Sequence, residues 1–377
     1  MVEFLKVMDN WGGYVPVGAH KINEAAQSRF LDLLSNKERR PRHQQEYLLR
    51  EVITTSDFPA LFGFTLEREM LARYRAVTAD WQSYTKIGTL PNFNAAELHK
   101  VQGNDTLLPR VAEKGEYLVA PVVEGYYSRR IYKYGRQFDI SWESLINDAL
   151  GAFQDIPQRF ADSVLYTRAY NVTDMIASAS GPDALLFGTG LADVADGQLI
   201  TNVGALPLTI DNLEITLGLM AAQTDVNGRP LGIRGKHLVV PPALEFTARA
   251  ILTSSLMAYA ATAAGAVPLP TVNIVSQLGL MLHVDPLLPV IDVSANRNGT
   301  WYVFADLADG QAIQMDFLRG HEDPEICMKA SDKLAVGGEP ISSFDGDFAT
   351  DNVVYRVRDV HGGTRVDRRY CYAQVST

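Results

Sequence analysis

The stretch Gly115-Glu-Tyr-Leu-Val-Ala-Pro-Val-Val-Glu-Gly-Tyr-Tyr-Ser-Arg-Arg-Ile-Tyr-Lys-Tyr-Gly-Arg-Gln-Phe-Asp-Ile140 decides how this chain is read. It closes a segment, residues 85–140, that Gly88, Pro91, Gly103, Pro109, Gly115, Pro121 and Gly125 punctuate too often for helices. Between the breaks, extended pieces are expected at Tyr117–Val123 and Arg130–Ile140. Two strands with long irregular flanks bury no core of their own. Such a segment is either disordered or packed on something else. Its aromatics, Tyr117, Tyr126, Tyr127, Tyr132, Tyr134 and Phe138, speak for packing. The expectation is a hairpin that lies on a neighbouring copy of the chain.

Upstream, the first 50 residues read as an arm: a short amphipathic helix after Asn23, broken at Pro41, then a helical stretch near Tyr47. Residues 65–83 carry Leu66, Met70, Tyr74, Val77 and Trp81 at helical spacing. Downstream, Asp155-Ile-Pro-Gln158 resembles a capping box and predicts a long helix from Asp155 to about Ile176. From about 207 the pattern is compact α/β. A second capping box is expected at Asp211-Asn-Leu-Glu214, and a helix after Pro241-Pro242. Strands are expected at His237–Val240, Leu280–Val284, Trp301–Ala305 and Ala312–Phe317. The C-terminus reads as a hairpin, Val353–Val360 and Thr364–Gln374, joined through His361-Gly362-Gly363.

The 377 residues allow two or three domains, or one with large extensions. With 47% hydrophobic and 21% charged residues the chain buries a sizeable core, which excludes wholesale disorder. A net charge of −10 argues against a general nucleic-acid binder. Two cysteines, Cys327 and Cys371, make neither a disulfide scaffold nor a zinc cluster. No secretory signal is visible. Residues 250–284 hold no charge, but Pro268, Pro270 and Asn273 break them, so buried helix, loop and strand are expected in place of a membrane span.

The searched chemistry yields no catalytic centre. There is no GxxxxGK[ST] loop and no GxSxG elbow, and Gly188-Thr-Gly190 lacks the third glycine of a dinucleotide fingerprint. His283 with Asp285, and His321-Glu-Asp323, lack metal-ligand spacing; Asp345-Gly-Asp347 with Asp351 lacks the later glycine and closing glutamate of a calcium loop. No cofactor is expected. Two basic clusters remain. Lys37, Arg39, Arg40 and Arg42 lie on the arm, with Glu38 and Glu46 beside them, so a solvated face competes with a phosphate-facing one. Tyr126, Tyr127, Arg129, Arg130, Tyr132, Lys133, Tyr134 and Arg136 interleave bases and tyrosines, a pattern that serves single-stranded nucleic acid or a protein interface. On an acidic chain the subunit interface is the favoured reading.

The order of these parts resembles a tailed-phage major capsid protein of the Hong Kong 97 fold, an α+β architecture. Particular stretches are similar to Mu-like phage major head proteins. They are Glu51-Val-Ile-Thr-Thr-Ser-Asp-Phe-Pro59, Val111-Ala-Glu-Lys-Gly-Glu-Tyr117 and Lys133-Tyr-Gly-Arg-Gln-Phe-Asp-Ile-Ser141. Asn147-Asp148, Leu238-Val-Val-Pro-Pro-Ala-Leu-Glu245 and Phe317-Leu-Arg-Gly320 continue the series.

The resemblance implies a layout: an N-terminal arm at 1–60, a helix at 61–84, an extended loop at 85–140 and a peripheral domain with spine helix at 141–204. An axial domain at 205–345 and a C-terminal hairpin at 346–377, returning to the peripheral domain, complete it. It implies hexamers and pentamers in an icosahedral shell around double-stranded DNA, and the virion head as location after assembly in the host cytoplasm. Separate scaffolding protein, portal and protease, weak contact with packaged DNA through Lys37, Arg39, Arg40 and Arg42, and no membrane belong to the same picture. Some relatives crosslink a lysine of the extended loop to a neighbour, which makes Lys114 and Lys133 the crosslink candidates. The arm is short, so no fused scaffolding segment is expected. The acidic charge fits a shell that contains DNA without gripping it. An encapsulin-like nanocompartment shares the fold and is the alternative, disfavoured by the arm at residues 1–60; a cytosolic hydrolase with a noncontiguous site is the third reading.

Overall fold

A computed structural model describes residues 79–102, 108, 110–111, 113–117, 123–141, 150–258, 270–329, 331–334, 336–337, 347–350 and 352–376. The arm, its basic cluster Lys37, Arg39, Arg40 and Arg42, most of the 65–83 helix, and Asp345 and Asp351 lie outside them. In chain order the elements begin with β1 (Lys86–Leu90), β2 (Ala96–Gln102), β3 (Val123–Arg129), β4 (Tyr132–Ser141) and the long helix α1 (Leu150–Ile176). Five two-residue strands follow: β5 (Ala177–Ser178), β6 (Gly181–Pro182), β7 (Leu191–Ala192), β8 (Leu199–Ile200) and β9 (Val203–Gly204). Next come α2 (Ile210–Ala221), β10 (Gly235–Val240), α3 (Glu245–Thr253), β11 (Leu256–Ala258), β12 (Pro270–Val272), β13 (Met281–Val284) and the one-turn α4 (Leu288–Ile291). The chain ends with β14 (Trp301–Ala305), β15 (Ile313–Leu318), β16 (Glu325–Met328), β17 (Asn352–Arg365) and β18 (Cys371–Gln374).

The chain divides into two units. The larger holds Arg73–Gly135, Phe160–Pro324 and Arg358–Thr377. Its central sheet runs β13-β10-β14-β18-β9. Both faces are buried, which is why Trp301–Ala305 reads as an unbroken apolar run. The two-residue period sorts the side chains. Val239, Tyr302, Phe304, Cys371 and Ala373 join one core with Val172 and Ile176 of α1, Trp81, Tyr84, Phe187 and Ile313. Leu238, Val240, Trp301, Val303 and Tyr372 face a second core with Leu213 and Met220 of α2, Ala248 and Ile251 of α3. In the same unit β1 runs parallel to β15, from Lys86↔Gln314 to Leu90↔Leu318. The end of β17 runs antiparallel to β15, from Ile313↔Arg365 to Phe317↔His361.

Three expectations are corrected. The long helix already runs at Leu150, so Asp155-Ile-Pro-Gln158 is interior and not its cap. A proline forgoes one helical hydrogen bond, and the turns before it supply the rest. Thr209, not Asp211, caps α2: its Oγ1 accepts the Asn212 N–H at 3.2 Å. The C-terminal hairpin is absent, because β17 passes straight through His361-Gly362-Gly363 and β18 belongs to the other sheet. The glycines serve close approach and not a turn. A Cβ on Gly362 would stand 2.0 Å from the Arg130 carbonyl oxygen, and one on Gly363 2.5 Å from the Met175 thioether. The strands expected within 207–317 are present to within two residues of their ends.

The described parts of the smaller unit fall within Arg136–Arg159 and Glu325–Val357. There Phe138 stacks on Tyr355 at 5.1 Å and the Lys329 N–H donates to the Val354 carbonyl. Asn352 Nδ2 donates to Asp139 at 3.2 Å.

Candidate functional site

The segment that opened the reading enters a two-stranded ribbon only through Val123–Arg129; its partner is Ala96–Gln102, and the expected piece Arg130–Ile140 is the separate strand β4. β2 and β3 pair antiparallel from Ala96↔Arg129 to Gln102↔Val123. Opposite residues share a face, so the register yields two surfaces. Leu98, Lys100, Gly125, Tyr127 and Arg129 turn inward. Glu97, His99, Glu124, Tyr126 and Ser128 turn outward and are exposed. On that outer face the His99 ring lies 6.4 Å from Tyr126, with Glu97 3.5 Å from its Nε2.

The inner face packs on its own chain. A Cβ on Gly125 would fall 1.7 Å from the Ala195 carbonyl oxygen, so only glycine lets the ribbon lie this close. Tyr127 Oη donates to Asp193 at 2.7 Å. Arg129 Nη1 donates at 3.0 Å to Asp316, which lies fully buried on β15. Gln314 Nε2 shares that same oxygen at 2.7 Å, and Gly88 leaves the room for it.

At Lys100 three distant pieces of sequence meet. Its Nζ contacts Asp367 and lies 3.5 Å from Asp196 and 3.9 Å from Asp193. Arg369, fully buried, donates to Asp196 at 2.6 Å, Asp367 at 3.1 Å and Gln198 at 2.6 Å. Three carboxylates thus face two cations. Burial, then the Asp367 charge, raises the Asp193 carboxyl above its ordinary range. Burial also works against the Asp196 carboxylate, but the Gln198 N–H and Arg369 outweigh it and hold that group low. Among the described residues, Asp193 Oδ1 and Arg369 Nε are buried without a hydrogen-bond partner. The cluster binds segments together; it presents no nucleophile.

The sequence candidates therefore separate. Tyr127, expected at a subunit interface, is buried in its own chain with its hydroxyl committed to Asp193, and that expectation is corrected. Arg129 is held by Asp316, and Tyr134 stacks on His361 at 4.3 Å. Tyr126, Arg130, Tyr132, Lys133 and Arg136 stay exposed, with the Arg130 guanidinium over the Tyr132 ring at 5.5 Å. Lys114 is exposed at a turn with φ of 63°. Lys100, Asp193, Asp196, Asp367 and Arg369 escaped sequence reading because no spacing joins them; the only signal was a charged triplet, Asp367-Arg-Arg369, placed against an apolar strand.

His283 does not meet a metal set with Asp285. Its Nε2 lies 3.1 Å from His237 Nδ1 and 3.3 Å from Ser83 Oγ, while Asp285 accepts from Thr173 and from the Leu287 N–H. His321 and Glu322 are exposed. Among the described residues no group of three or more His, Cys, Asp or Glu side chains is placed to hold a metal. No described helix is long and apolar enough to cross a membrane.

This α+β fold, with a sheet buried on both faces and a long helix, matches solved capsid structures of the Hong Kong 97 type. The capsid structure of the cyanophage P-SCSP1u matches with a TM-score of 0.51 and 14% identity, over 80% of this chain and 88% of that one. The mature capsid of bacteriophage PhiM1 gives 0.47 and 11% over 80% and 88%. The SrpI encapsulin complex from Synechococcus elongatus gives 0.44 and 9% over the same shares. No curated protein matches the sequence. The phage capsid protein family matches residues 126–374, and the chain belongs to it. It is a structural protein of the icosahedral head shell of a phage, not an enzyme.

Proposed function

We propose that this chain is the repeating subunit of the shell around double-stranded DNA, built as hexamers and pentamers, and that the outer face of the β2–β3 ribbon is where a neighbouring subunit is met. The observation that supports the second half is the ribbon's division of faces. The inner face is used up on the subunit itself, while Glu97, His99, Glu124, Tyr126 and Ser128 are left outward. Beside them Arg130, Tyr132 and Lys133 are exposed, aromatic and basic, the composition that interfaces favour.

On this reading residues 85–140 are the extended loop, α1 is the spine helix of the peripheral domain, and 205–345 is the axial domain. The arm reaches across neighbours, with Lys37, Arg39, Arg40 and Arg42 toward packaged DNA. Kinship with Mu-like head proteins rests on the stretches quoted from Glu51 to Gly320. Scaffolding protein, portal and protease are the partners such a shell needs. Lys114 and Lys133, both exposed, remain the crosslink candidates. The test is electron microscopy of shells from wild type and from Tyr126→Ala with Arg130→Glu. Closed shells from wild type and free subunits or capsomers from the variant are expected. Normal shells from the variant overturn the assignment of the face.

A further inference from the structure

We propose that Lys100 is the latch that sets the distal half of the β2–β3 ribbon on its own subunit and so positions the outer face offered to a neighbour. The inference rests on the shell reading above. The ribbon is held at two points. Near its base, where Ala96 pairs with Arg129, the Arg129–Asp316 bond fixes it to β15. Four ladder steps further out, Lys100 enters the cluster of Asp193, Asp196 and Asp367. Between them the inner face adds one hydroxyl bond, Tyr127 to Asp193.

The receptor is made by two segments far apart in sequence, the β7–β8 turn with Asp193 and Asp196, and the C-terminal turn with Asp367 and Arg369. Arg369 is fully enclosed and belongs to the receptor. The Lys100 side chain keeps 21% of its surface exposed, so it can leave with the ribbon. Three carboxylates against Arg369 alone are short by two charges, and Lys100 halves that deficit. A receptor left so unbalanced in a buried place holds its missing cation strongly. Gly125, the register partner of Lys100, presses the ribbon onto the Ala195 carbonyl at the same level, so the latch closes only with the ribbon flat.

The experiment is hydrogen exchange on unassembled subunits, with shell yield scored in parallel, for wild type, Lys100→Met and the outer-face control Glu97→Gln. In Lys100→Met, amides of 98–102 and 123–127 are expected to lose protection by about a hundredfold or more, while α2, β10 and β14 keep theirs and shell yield falls. Glu97→Gln should keep the protection of 98–102. If Lys100→Met does not fold, Lys100→Gln with Asp193→Asn preserves the cluster's net charge while removing the latch, and the same readings apply. Unchanged protection at 98–102 overturns the latch. Lost protection with normal shells overturns its positioning role. If wild type makes no shells, the shell reading fails, and the exchange data still decide whether the ribbon is latched by Lys100.

Discussion

Arg168 offers the sharpest stability prediction. It sits on α1, buried, with Nε 2.8 Å and Nη2 2.6 Å from the two oxygens of Asp359 on β17. Its Nη2 also donates to the Glu322 carbonyl at 2.8 Å, and its guanidinium covers the Phe317 ring at 4.5 Å. Asn171 Nδ2 donates to His361 Nε2 at 2.7 Å, which leaves His361 Nδ1–H to donate to Asp359 at 2.9 Å. Burial pushes the Asp359 carboxyl up, but the hydrogen bonds from Arg168 and His361, with the guanidinium charge, outweigh it and hold it at about 2. Against an unfolded carboxyl near 3.9, that shift corresponds to about 2–3 kcal/mol of stability at neutral pH. The sign follows from the depressed value. The contribution is complete above the unfolded pKa and is lost as pH falls through about 2. Arg168→Met leaves a buried carboxylate unpaired and should cost on the order of 3–5 kcal/mol. Urea unfolding of the unassembled subunit, followed by circular dichroism, measures it. The double variant with Asp359→Asn should cost less than the sum of the two single variants, by a coupling of about 2 kcal/mol. A cost below about 1 kcal/mol for Arg168→Met, or simple additivity, refutes the reasoning.

Three further outcomes are expected. Gly362→Ala, whose Cβ meets the Arg130 backbone, should destabilise by roughly 2–3 kcal/mol or more, and Gly363→Ala by less, because the Met175 side chain can shift; melting temperatures compare the two. Burial, then His283, holds the His237 imidazole down at about 4, so the unfolded chain binds the extra proton and stability should fall by about 2–3 kcal/mol as pH drops from about 6.5 to 4. His237→Gln should flatten that window in a pH series of unfolding midpoints. Tyr127→Phe removes the hydroxyl from Asp193 and should cost about 1–2 kcal/mol, read from the same unfolding curves.

Where a residue's environment is set by local sequence, the reading of the chain succeeded. Trp301–Ala305 is apolar throughout because both faces of β14 are covered, and its span was legible to the residue. The ribbon was legible as extended chain from its glycines and tyrosines, but its strands lie at Ala96–Gln102 and Val123–Arg129, with β4 following as a separate strand. Its inner anchors were not legible. The partners of Lys100 lie 93, 96 and 267 residues away, so no periodicity or motif could join them. Tyr127 and Tyr126 are adjacent and identical in type, and only the ladder register assigns one to the core and the other to solvent. Gly362-Gly363 carried a turn signal that tertiary packing overruled, since a strand crossing close to Arg130 and Met175 needs the same missing side chains as a turn does.

Electron microscopy of the purified wild-type chain, concentrated at low and at physiological salt, tests the central claim most directly. The account predicts closed shells of uniform size, or capsomers that close into shells as concentration rises. A single 41.5 kDa species in every condition, confirmed by light scattering, would contradict it.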